Sequence, residues 1–421
     1  MGSYSETLPP KYGPDDTQNN DIIPRSALTF GVEFEFAIAC LPRGYEDPNP
    51  EDSRQVYGIS EKDTPESTDI PNLGLHEPSH ITESGEEWWL IQQHIAGTLE
   101  EQGLRAFSSK DVMLTIDKPQ TSWIVKDDAS IKFPPLNYKF RDIEVISPPL
   151  YFCEKALDQI KVACQTLPSK YRLFLNTSCS VHVHVGHGSH GFEFAHLRNL
   201  MAMLWAFEPQ LDSLHPQHRV GPMRYSGSLR KHSNLAIDLK AKGMHARDGL
   251  QRIYDTEDIN EIVDILGSAK RDQRLPYSMA YCLVNLEESV DSSLYKDLMG
   301  EIDKKTIEFR QHEGTFNAEA VEQWIKLCVH LVEFVEEARQ DKLRTWLEEH
   351  IDTDYNVIQI LEAIKQPLAA SYYEKKLAER AARGPDTSTR ATKSFSVELL
   401  DASMVTDHIR KLSDWYQNRR T

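Results

Sequence analysis

The chain has 421 residues, of which 40% are hydrophobic and 27% charged, a composition typical of a soluble globular protein with a large core. Its formal net charge of −18 argues against nucleic acid as the main partner, because a phosphate backbone requires a basic surface. No segment approaches the ~20 apolar residues that span a bilayer, and residues 1–21 lack the apolar core of a signal peptide. We therefore expect a cytoplasmic protein without a nucleic-acid or membrane partner.

The cysteines give no sign of a disulfide framework. No CxxC pair is present, and a chain of this length does not need disulfides to stabilise its core. We expect buried thiols in a reducing compartment at all of them, namely Cys40, Cys153, Cys164, Cys179, Cys282 and Cys328.

The first half of the chain alternates short strands with helices. A tail at residues 1–25 precedes a predicted strand at 28–39 and then an acidic insert at 43–87, which we expect to be a solvated loop. A helix is predicted at 86–102, ended by Gly103. The next predicted elements are two strands (123–126 and 140–146), a helix (153–165), a strand (178–186) and a helix (193–213).

The second half is mostly helical by its apolar period. A mixed, basic stretch at 220–269 leads to a predicted strand at 280–286, and Asn317 is expected to cap a helix over 318–340. The remaining predicted elements are helix at 341–377 with an interruption near Pro367, a linker at about 383–394 and a last helix at 396–417. Without regular βαβ spacing, this order favours an α+β fold with a largely antiparallel sheet.

Three strand segments carry charge on one face and apolar side chains on the other. They are residues 30–36 (FGVEFEF), 180–185 (SVHVHV) and 306–310 (TIEFR). Because residues two apart in a strand point the same way, the charged pairs Glu33/Glu35, His182/His184 and Glu308/Arg310 each share a face. The pattern predicts a sheet with one face packed on the core and the other lining a cleft suited to divalent metal and phosphate chemistry.

Glu33 and Glu35 give the sharpest signal. Two neighbouring carboxylates repel each other and resist losing water, and a bound Mg²⁺ or Mn²⁺ offsets both costs. The alternative is a solvent-facing pair on an amphipathic strand. Glu144, on another short strand whose alternate positions are apolar, is a further candidate for the same metal site.

The other two pairs also have ordinary structural readings. His182 and His184 suit metal or phosphate, or they are strand histidines with routine hydrogen bonds. Glu308 and Arg310 place a carboxylate beside a guanidinium fork that suits phosphate oxygens, or they form a surface ion pair. A cupin-type iron site at the histidines is a poor match, because the next glutamate, Glu193, is distant and lies beyond two glycines.

Taken together, the motifs resemble those of the amidoligase family, a branch of the carboxylate–amine ligases that share the glutamine synthetase and glutamate–cysteine ligase type of catalytic fold. The stretches that carry the resemblance are 30–36 (FGVEFEF), 123–131 (WIVKDDASI), 144–148 (EVISP), 180–186 (SVHVHVG) and 306–315 (TIEFRQHEGT). The similarity covers about residues 28–334, and the last motif with its following helix is the most specific. Ala129 stands where the family often has glycine.

The resemblance implies a curved, mostly antiparallel sheet with helices on its convex face and with ATP and two or three Mg²⁺ or Mn²⁺ ions on its concave face. The implied metal ligands are Glu33, Glu35, Glu144, His182 and Glu308. Arg310 would neutralise the transferred phosphoryl group, and His184 would lie near the nucleotide phosphates or the substrate. Arg219 and Arg224 are further candidates for contacting phosphate or a substrate carboxylate, and Glu313 or Asp128 for deprotonating the amine.

These expectations lead to an ATP-dependent ligase that joins a carboxylate to an amine through an acyl phosphate. The catalytic domain is expected at 26–345 and a C-terminal helical extension at 346–421. The alternatives are a phosphotransferase resembling guanidino kinases on the same fold, an inactive nucleotide- or peptide-binding module, and, as a remote fourth, an iron oxygenase built on the histidine pair. The sequence does not specify whether the carboxylate and amine belong to small molecules or peptides, nor the oligomeric state.

Overall fold

The computed structural model describes residues 28–42, 44–59, 83–112, 121–133, 138–188, 190–220, 226–268, 279–283, 286, 305–383 and 398–399. Its strands are β1 (Thr29–Pro42), β2 (Tyr57–Ile59), β3 (Ala106–Ser108), β4 (Trp123–Lys126), β5 (Lys139–Ile146), β6 (Leu150–Tyr151), β7 (Leu173–Leu175), β8 (Ser180–Gly186), β9 (Tyr281–Cys282), β10 (Ile307–Glu313) and β11 (Glu398–Leu399).

The helices fall into three groups along the chain. The first group is α1 (Glu83–Glu101), α2 (Ser109–Val112), α3 (Glu154–Lys170) and α4 (Phe194–Asp212). After a 3₁₀ turn at Gln217–Arg219 come α5 (Leu229–His232), α6 (Asn234–Lys242), α7 (Ala246–Tyr254) and α8 (Ile259–Leu266). The last group is α9 (Ala318–Glu337), α10 (Gln340–His350), α11 (Val357–Ala363) and α12 (Pro367–Arg383).

The strands form one open, mostly antiparallel sheet centred on β1. Its main path runs β3-β4-β5-β1-β8-β10-β9, and among the pairings of the described strands only those of β1 with β2 and of β3 with β4 are parallel. The long strand β1 pairs antiparallel with β5 on one side and β8 on the other, and β10 joins the far side of β8. The expected mixed fold with a largely antiparallel sheet is thus confirmed.

One face of this sheet is buried under helices. The apolar alternate positions of β1, β8 and β10 belong to a core cluster that includes side chains of α3, α4 and α9. Phe34 of β1 stacks on Phe316, just before α9, with ring centroids 5.6 Å apart. The Oδ1 of Asn317 accepts a hydrogen bond from the backbone N–H of Ala320 at 3.0 Å, so Asn317 caps α9 as predicted.

Most predicted elements are present, with shifted ends. The predicted strand at 280–286 is reduced to Tyr281–Cys282, and the helical stretch at 341–377 is three helices, the last of which begins at Pro367. Proline is well suited to the first turn of a helix, where its missing N–H has no partner to lose. The stretch at 220–269 contains α5 to α8.

The C-terminal prediction was wrong at two residues. The helix predicted at 396–417 includes residues 398–399, which instead pair with β7 as β11. The rest of that segment, the tail at 1–25 and residues 384–397 of the linker region lie outside the described residues. No described helix combines the length and apolar character needed to cross a membrane. None of the six cysteines takes part in a disulfide bond, and only Cys153 among them is not fully buried.

The acidic insert is not a loop along its whole length. Residues 57–59 pair with the end of β1, and α1 begins at Glu83. The insert is also held at Asp47, ahead of residues 57–59. The buried Arg172 donates from Nη1 to both carboxylate oxygens of Asp47, at 2.8 and 2.9 Å. The Nε of Arg172 also lies 3.3 Å from Asp52. This ion-pair group, which we call the Arg172 clip, fixes the start of the insert to the sheet.

Candidate active site

Strand pairing brings charged side chains of five neighbouring strands onto the face of the sheet opposite the helices. Across β5 and β1, Glu144 lies opposite Glu35, and across β1 and β8, Glu33 lies opposite His182. Across β8 and β10, His184 lies opposite Glu308. At the outer end of this row, Lys126 of β4 lies opposite Glu144. We call this surface the charged face.

His182 lies at the centre of the carboxylates. Its Nδ1 is 3.2 Å from Oε2 of Glu33, 3.3 Å from Oε1 of Glu308 and 3.5 Å from Oε1 of Glu35. Three glutamates from the two strands that flank β8 therefore lie within hydrogen-bonding or ion-pairing distance of one nitrogen. The alternation that predicted three charged pairs also placed them in one site.

The second histidine joins the same group. The Nε2 of His184 lies 2.9 Å from Oε1 of Glu33 and 3.9 Å from Oε1 of Glu308. In the described part of the chain, Glu33, His184 and Glu308 each offer one ligand atom, and these atoms all lie within 4.8 Å of one another. Such a spacing suits a single divalent cation, so both histidines, and not His182 alone, are positioned as candidate metal ligands.

Two permanent cations flank the carboxylates at opposite ends of the row. The Nη1 of Arg310 forms a short ion pair with Oε1 of Glu308 on β10. At the other end, Nζ of Lys126 lies 2.7 Å from Oε2 of Glu144. The sequence analysis predicted a role for Arg310 and none for Lys126.

Burial and mutual repulsion disturb the ionisation of these glutamates. Burial, and then the charge of Glu33, raises the pKa of Glu144 well above its ordinary value against the opposing effect of Lys126. Burial also raises the pKa of Glu35, and the nearby charge of Asp128 adds to it. For Glu308, burial is outweighed chiefly by Arg310, and its pKa is lowered. Carboxylates held apart from water in this way are stabilised by a cation.

Two hydroxyl groups hold the charged side chains in place. Ser180 of β8 donates a short hydrogen bond to Oε2 of Glu35, and its Oγ lies 2.7 Å from Nε2 of His182. Thr306 Oγ1 lies 3.0 Å from Nδ1 of His184, so the Nε2 of this ring faces the carboxylates. Partners of this kind fix the orientation of metal-binding side chains.

A β-bulge in β10 changes which residues lie on the charged face. Phe309 lies opposite Val183 and His312 opposite Val181, so β10 has one residue more than β8 between these pairs. His312 therefore lies on the core side, where its ring centroid is 5.8 Å from that of Trp324. Glu313 lies opposite Ser180 and returns to the charged face in an exposed position.

The loop after β4 covers one end of the charged face. Asp128 is half-buried, and its two carboxylate oxygens accept hydrogen bonds from the backbone N–H and the hydroxyl of Ser130, each at 2.8 Å. Ile131 packs with Ala37 and Phe140 in a small apolar cluster. Both predicted candidates for the amine base, Asp128 and Glu313, thus lie near the glutamates, on different sides of the site.

Of the two further arginine candidates, one lies within the described residues. Arg219 is buried, and its Nη2 donates to the backbone carbonyl of Arg310 at 2.5 Å. This contact supports the strand that carries Arg310. Arg224 lies among residues 221–225, outside the described residues.

Sequence reasoning left out four residues that the structure places at the site. They are Lys126, Asp142, Ser180 and Thr306. The two-residue spacing could have identified them, because each lies two positions before a residue already selected. Those selected residues are, in the same order, Asp128, Glu144, His182 and Glu308. Asp142 resembles its neighbours in that burial, with the charges of Asp127 and Asp128, raises its pKa to about 6.

Comparison with known families agrees with these features. Residues 26–332 match a family described as "Putative amidoligase enzyme". The chain belongs to this amidoligase family. The match contains the whole charged face and ends within α9. A search of curated proteins found none that matches the chain. The family assignment predicted from the five motifs is confirmed.

Proposed function

We propose that this amidoligase-family protein is an ATP-dependent carboxylate–amine ligase, built on the curved, helix-backed catalytic sheet of the glutamine synthetase type. The observation that carries the proposal is the convergence of Glu33, Glu35 and Glu308 on two histidines on the charged face. Glu144 lies beside this cluster, opposite Glu35 on the neighbouring strand. A family of amidoligases and a cluster of buried oxygen donors together favour metal-assisted ligation over a passive binding role.

The donor set fits hard divalent cations. Carboxylate oxygens dominate it, and Mg²⁺ and Mn²⁺ prefer such ligands. Besides these four glutamates, Asp128 and Asp142 bring negative charge, and the described cations Lys126 and Arg310 oppose it through their ion pairs. In this proposal Glu33, Glu35, Glu144, Glu308 and His182 hold two or three ions, with His184 as a further ligand. Ions held there would supply positive charge to offset that of the nucleotide phosphates.

Arg310 is proposed to contact the phosphoryl group in transfer. It is permanently charged and planar, and its pairing with Glu308 holds it toward the centre of the site. Because Arg219 donates to the Arg310 carbonyl, the backbone beneath this guanidinium is fixed. A preorganised cation of this kind stabilises developing phosphoryl charge without having to move.

The proposed reaction has two steps. A carboxylate oxygen of the acid substrate attacks the γ-phosphorus of ATP, the bond to the β-phosphate oxygen breaks, and ADP leaves. The amine nitrogen then attacks the carbonyl carbon of the acyl phosphate, the carbon–oxygen bond breaks, and inorganic phosphate leaves with the amide formed. Holding both substrates in line across the charged face removes much of the entropic barrier.

The amine must lose a proton in the second step. Glu313 is exposed at the rim, and Asp128 lies on the loop that covers the other end of the site. We propose that one of these two carboxylates accepts the proton as the amine attacks. Their separation on different sides of the site makes substitution of each one a direct way to locate the amine.

Hydroxylamine trapping tests the ligase proposal without knowledge of the natural amine. Hydroxylamine converts an acyl phosphate to a hydroxamate, so a panel of amino and dicarboxylic acids with ATP and Mg²⁺ should give ADP and hydroxamate in equal amounts for the correct acid. We expect Glu308→Gln to abolish both, and Glu100→Gln, an exposed change on α1, to leave both unchanged. A stable phosphorylated product without hydroxamate would identify the guanidino-kinase-like alternative. If no acid in the panel led to the formation of ADP, the proposal would be contradicted.

A further inference from the structure

Lys126 is the most accessible of the charged groups that form ion pairs across the site. Its side chain is 41% exposed, whereas that of its partner Glu144 is 6% exposed and that of Arg310 is 17% exposed. Among these paired groups, Lys126 is therefore the one most open to a ligand that arrives from solvent.

Lys126 and Arg310 lie on strands at opposite sides of the charged face. The strands that carry them, β4 and β10, are separated by β5, β1 and β8 in the sheet. Four strand spacings of about 4.8 Å place their backbones roughly 19 Å apart. The charge of Glu33 nevertheless acts on both side chains, so the two cations approach the centre of the site from opposite sides.

The position of Lys126 beside Glu144 connects it to metal binding. The Nζ of Lys126 forms an ion pair with one carboxylate oxygen of Glu144, and the charges of Glu33 and Asp128 also act on Lys126. A metal ion held by Glu144 would compete with Lys126 for this carboxylate. The ammonium group would then be available to pair with an anionic oxygen of the arriving ligand.

We propose that Lys126 is a nucleotide-binding residue that passes from Glu144 to a phosphate oxygen when metal and nucleotide bind. This inference rests on the ligase proposal and adds to it a residue whose role the sequence did not indicate. The ammonium group is a compact charge with three donors, which suits a single phosphate oxygen shared with a metal. Arg310 then serves the transferred phosphoryl group at the other end of the row.

The test compares metal binding with nucleotide binding in the same variants. Lys126→Met removes the charge and keeps the aliphatic stem. We expect it to bind Mn²⁺, measured by electron paramagnetic resonance, at least as tightly as the native protein does, because Glu144 loses a competitor. We expect its affinity for a non-hydrolysable ATP analogue with Mg²⁺ to fall by about tenfold to a hundredfold. Lys126→Arg should recover most of that affinity.

Lys139→Met is the matched control, because Lys139 begins the adjacent strand β5 and is exposed. It should bind both probes as the native protein does. The proposal would be overturned if Lys126→Met bound the ATP analogue as tightly as the native protein does. It would also be overturned if the variant lost both Mn²⁺ affinity and thermal stability, the result expected of a purely structural ion pair. If the native protein binds Mn²⁺ but no nucleotide, the ligase proposal itself fails, and the result is distinguishable from failure at Lys126 alone.

Discussion

Hydroxyl groups at the ends of the charged pairs determine which atoms of the site residues face one another. Thr306 contacts Nδ1 of His184 and so leaves Nε2 for Glu33, and Ser180 contacts both Glu35 and His182. These contacts use the same two-residue period as the charged residues themselves. The local sequences Thr-x-Glu-x-Arg and Ser-x-His-x-His therefore encode the functional side chains together with their supports.

Thr306→Val tests the support of His184. Valine keeps the shape of threonine and removes the hydroxyl, so the imidazole loses the partner that fixes its orientation. We expect Mn²⁺ affinity to fall by about tenfold with little change in folding stability. Thr345→Val is the control, since Thr345 lies on an exposed turn of α10 and its hydroxyl donates only to Asp341 O. Equal Mn²⁺ affinity in native protein and Thr306→Val would contradict a role for this contact.

Strand alternation made most of the site predictable, and irregular elements limited the rest. Period two placed Glu33, His182 and Glu308 on one face because β1, β8 and the first half of β10 are regular. It gives no guide to the faces of His312 and Glu313, because no local pattern marks the bulge that exchanges them. The strand β9 is shorter than predicted. Its length is set by pairing with β10 at Tyr281 and Cys282, which strand propensity does not reveal.

Helix packing behind the sheet depends on one close approach. Gly249 of α7 lies against Trp205 of α4, and an added Cβ would come within 2.3 Å of the Trp205 ring. The indole Nε1–H of Trp205 also donates to Ala246 O at 2.8 Å, which fixes the ring in this position. The absent side chain at position 249 is therefore what allows α4 and α7 to pack closely.

Two glycine substitutions test this packing. Gly249→Ala should lower the free energy of unfolding by about 1–3 kcal/mol, because overpacking outweighs the better helix propensity of alanine. Gly97→Ala is the matched change in α1, where an added Cβ meets nothing within 4 Å. It should raise the free energy of unfolding by about 0.5–1 kcal/mol. Urea denaturation of both variants gives the comparison, and a stabilising Gly249→Ala would show that the helices separate at little cost.

At the scale of the whole molecule, the Arg172 clip joins the acidic insert to the sheet. The clip buries a guanidinium among Asp47, Asp52 and Tyr138, whose hydroxyl donates to Asp47 at 2.7 Å. The sequence marked the insert as solvated because its composition is acidic and rich in proline. It could not reveal an arginine more than a hundred residues away as the partner, since such pairing depends on the tertiary fold.

Arg172→Met should remove the buried guanidinium that pairs with Asp47, while Asp52 keeps its ion pair with Arg54. We expect a loss of about 2–3 kcal/mol in the free energy of unfolding, less than for a fully buried pair because Asp47 retains solvent contact. Arg339→Met, which breaks a solvent-exposed pair with Asp341, should leave the free energy of unfolding nearly unchanged. Chemical denaturation measures the free energy of unfolding of both variants. Equal decreases in the two would show that the Arg172 clip stabilises the fold no more than an exposed ion pair does.

The central claim is that the charged face binds divalent metal and, through it, nucleotide. Its most direct test is calorimetric titration of Mg²⁺ with ATP into the native chain, Glu33→Gln and Glu308→Gln, with Glu100→Gln as the exposed control. We predict nucleotide binding that requires Mg²⁺, persists in the control and is lost or sharply weakened in both site variants. Equal nucleotide binding in all four proteins, or no binding by the native chain, would contradict the account.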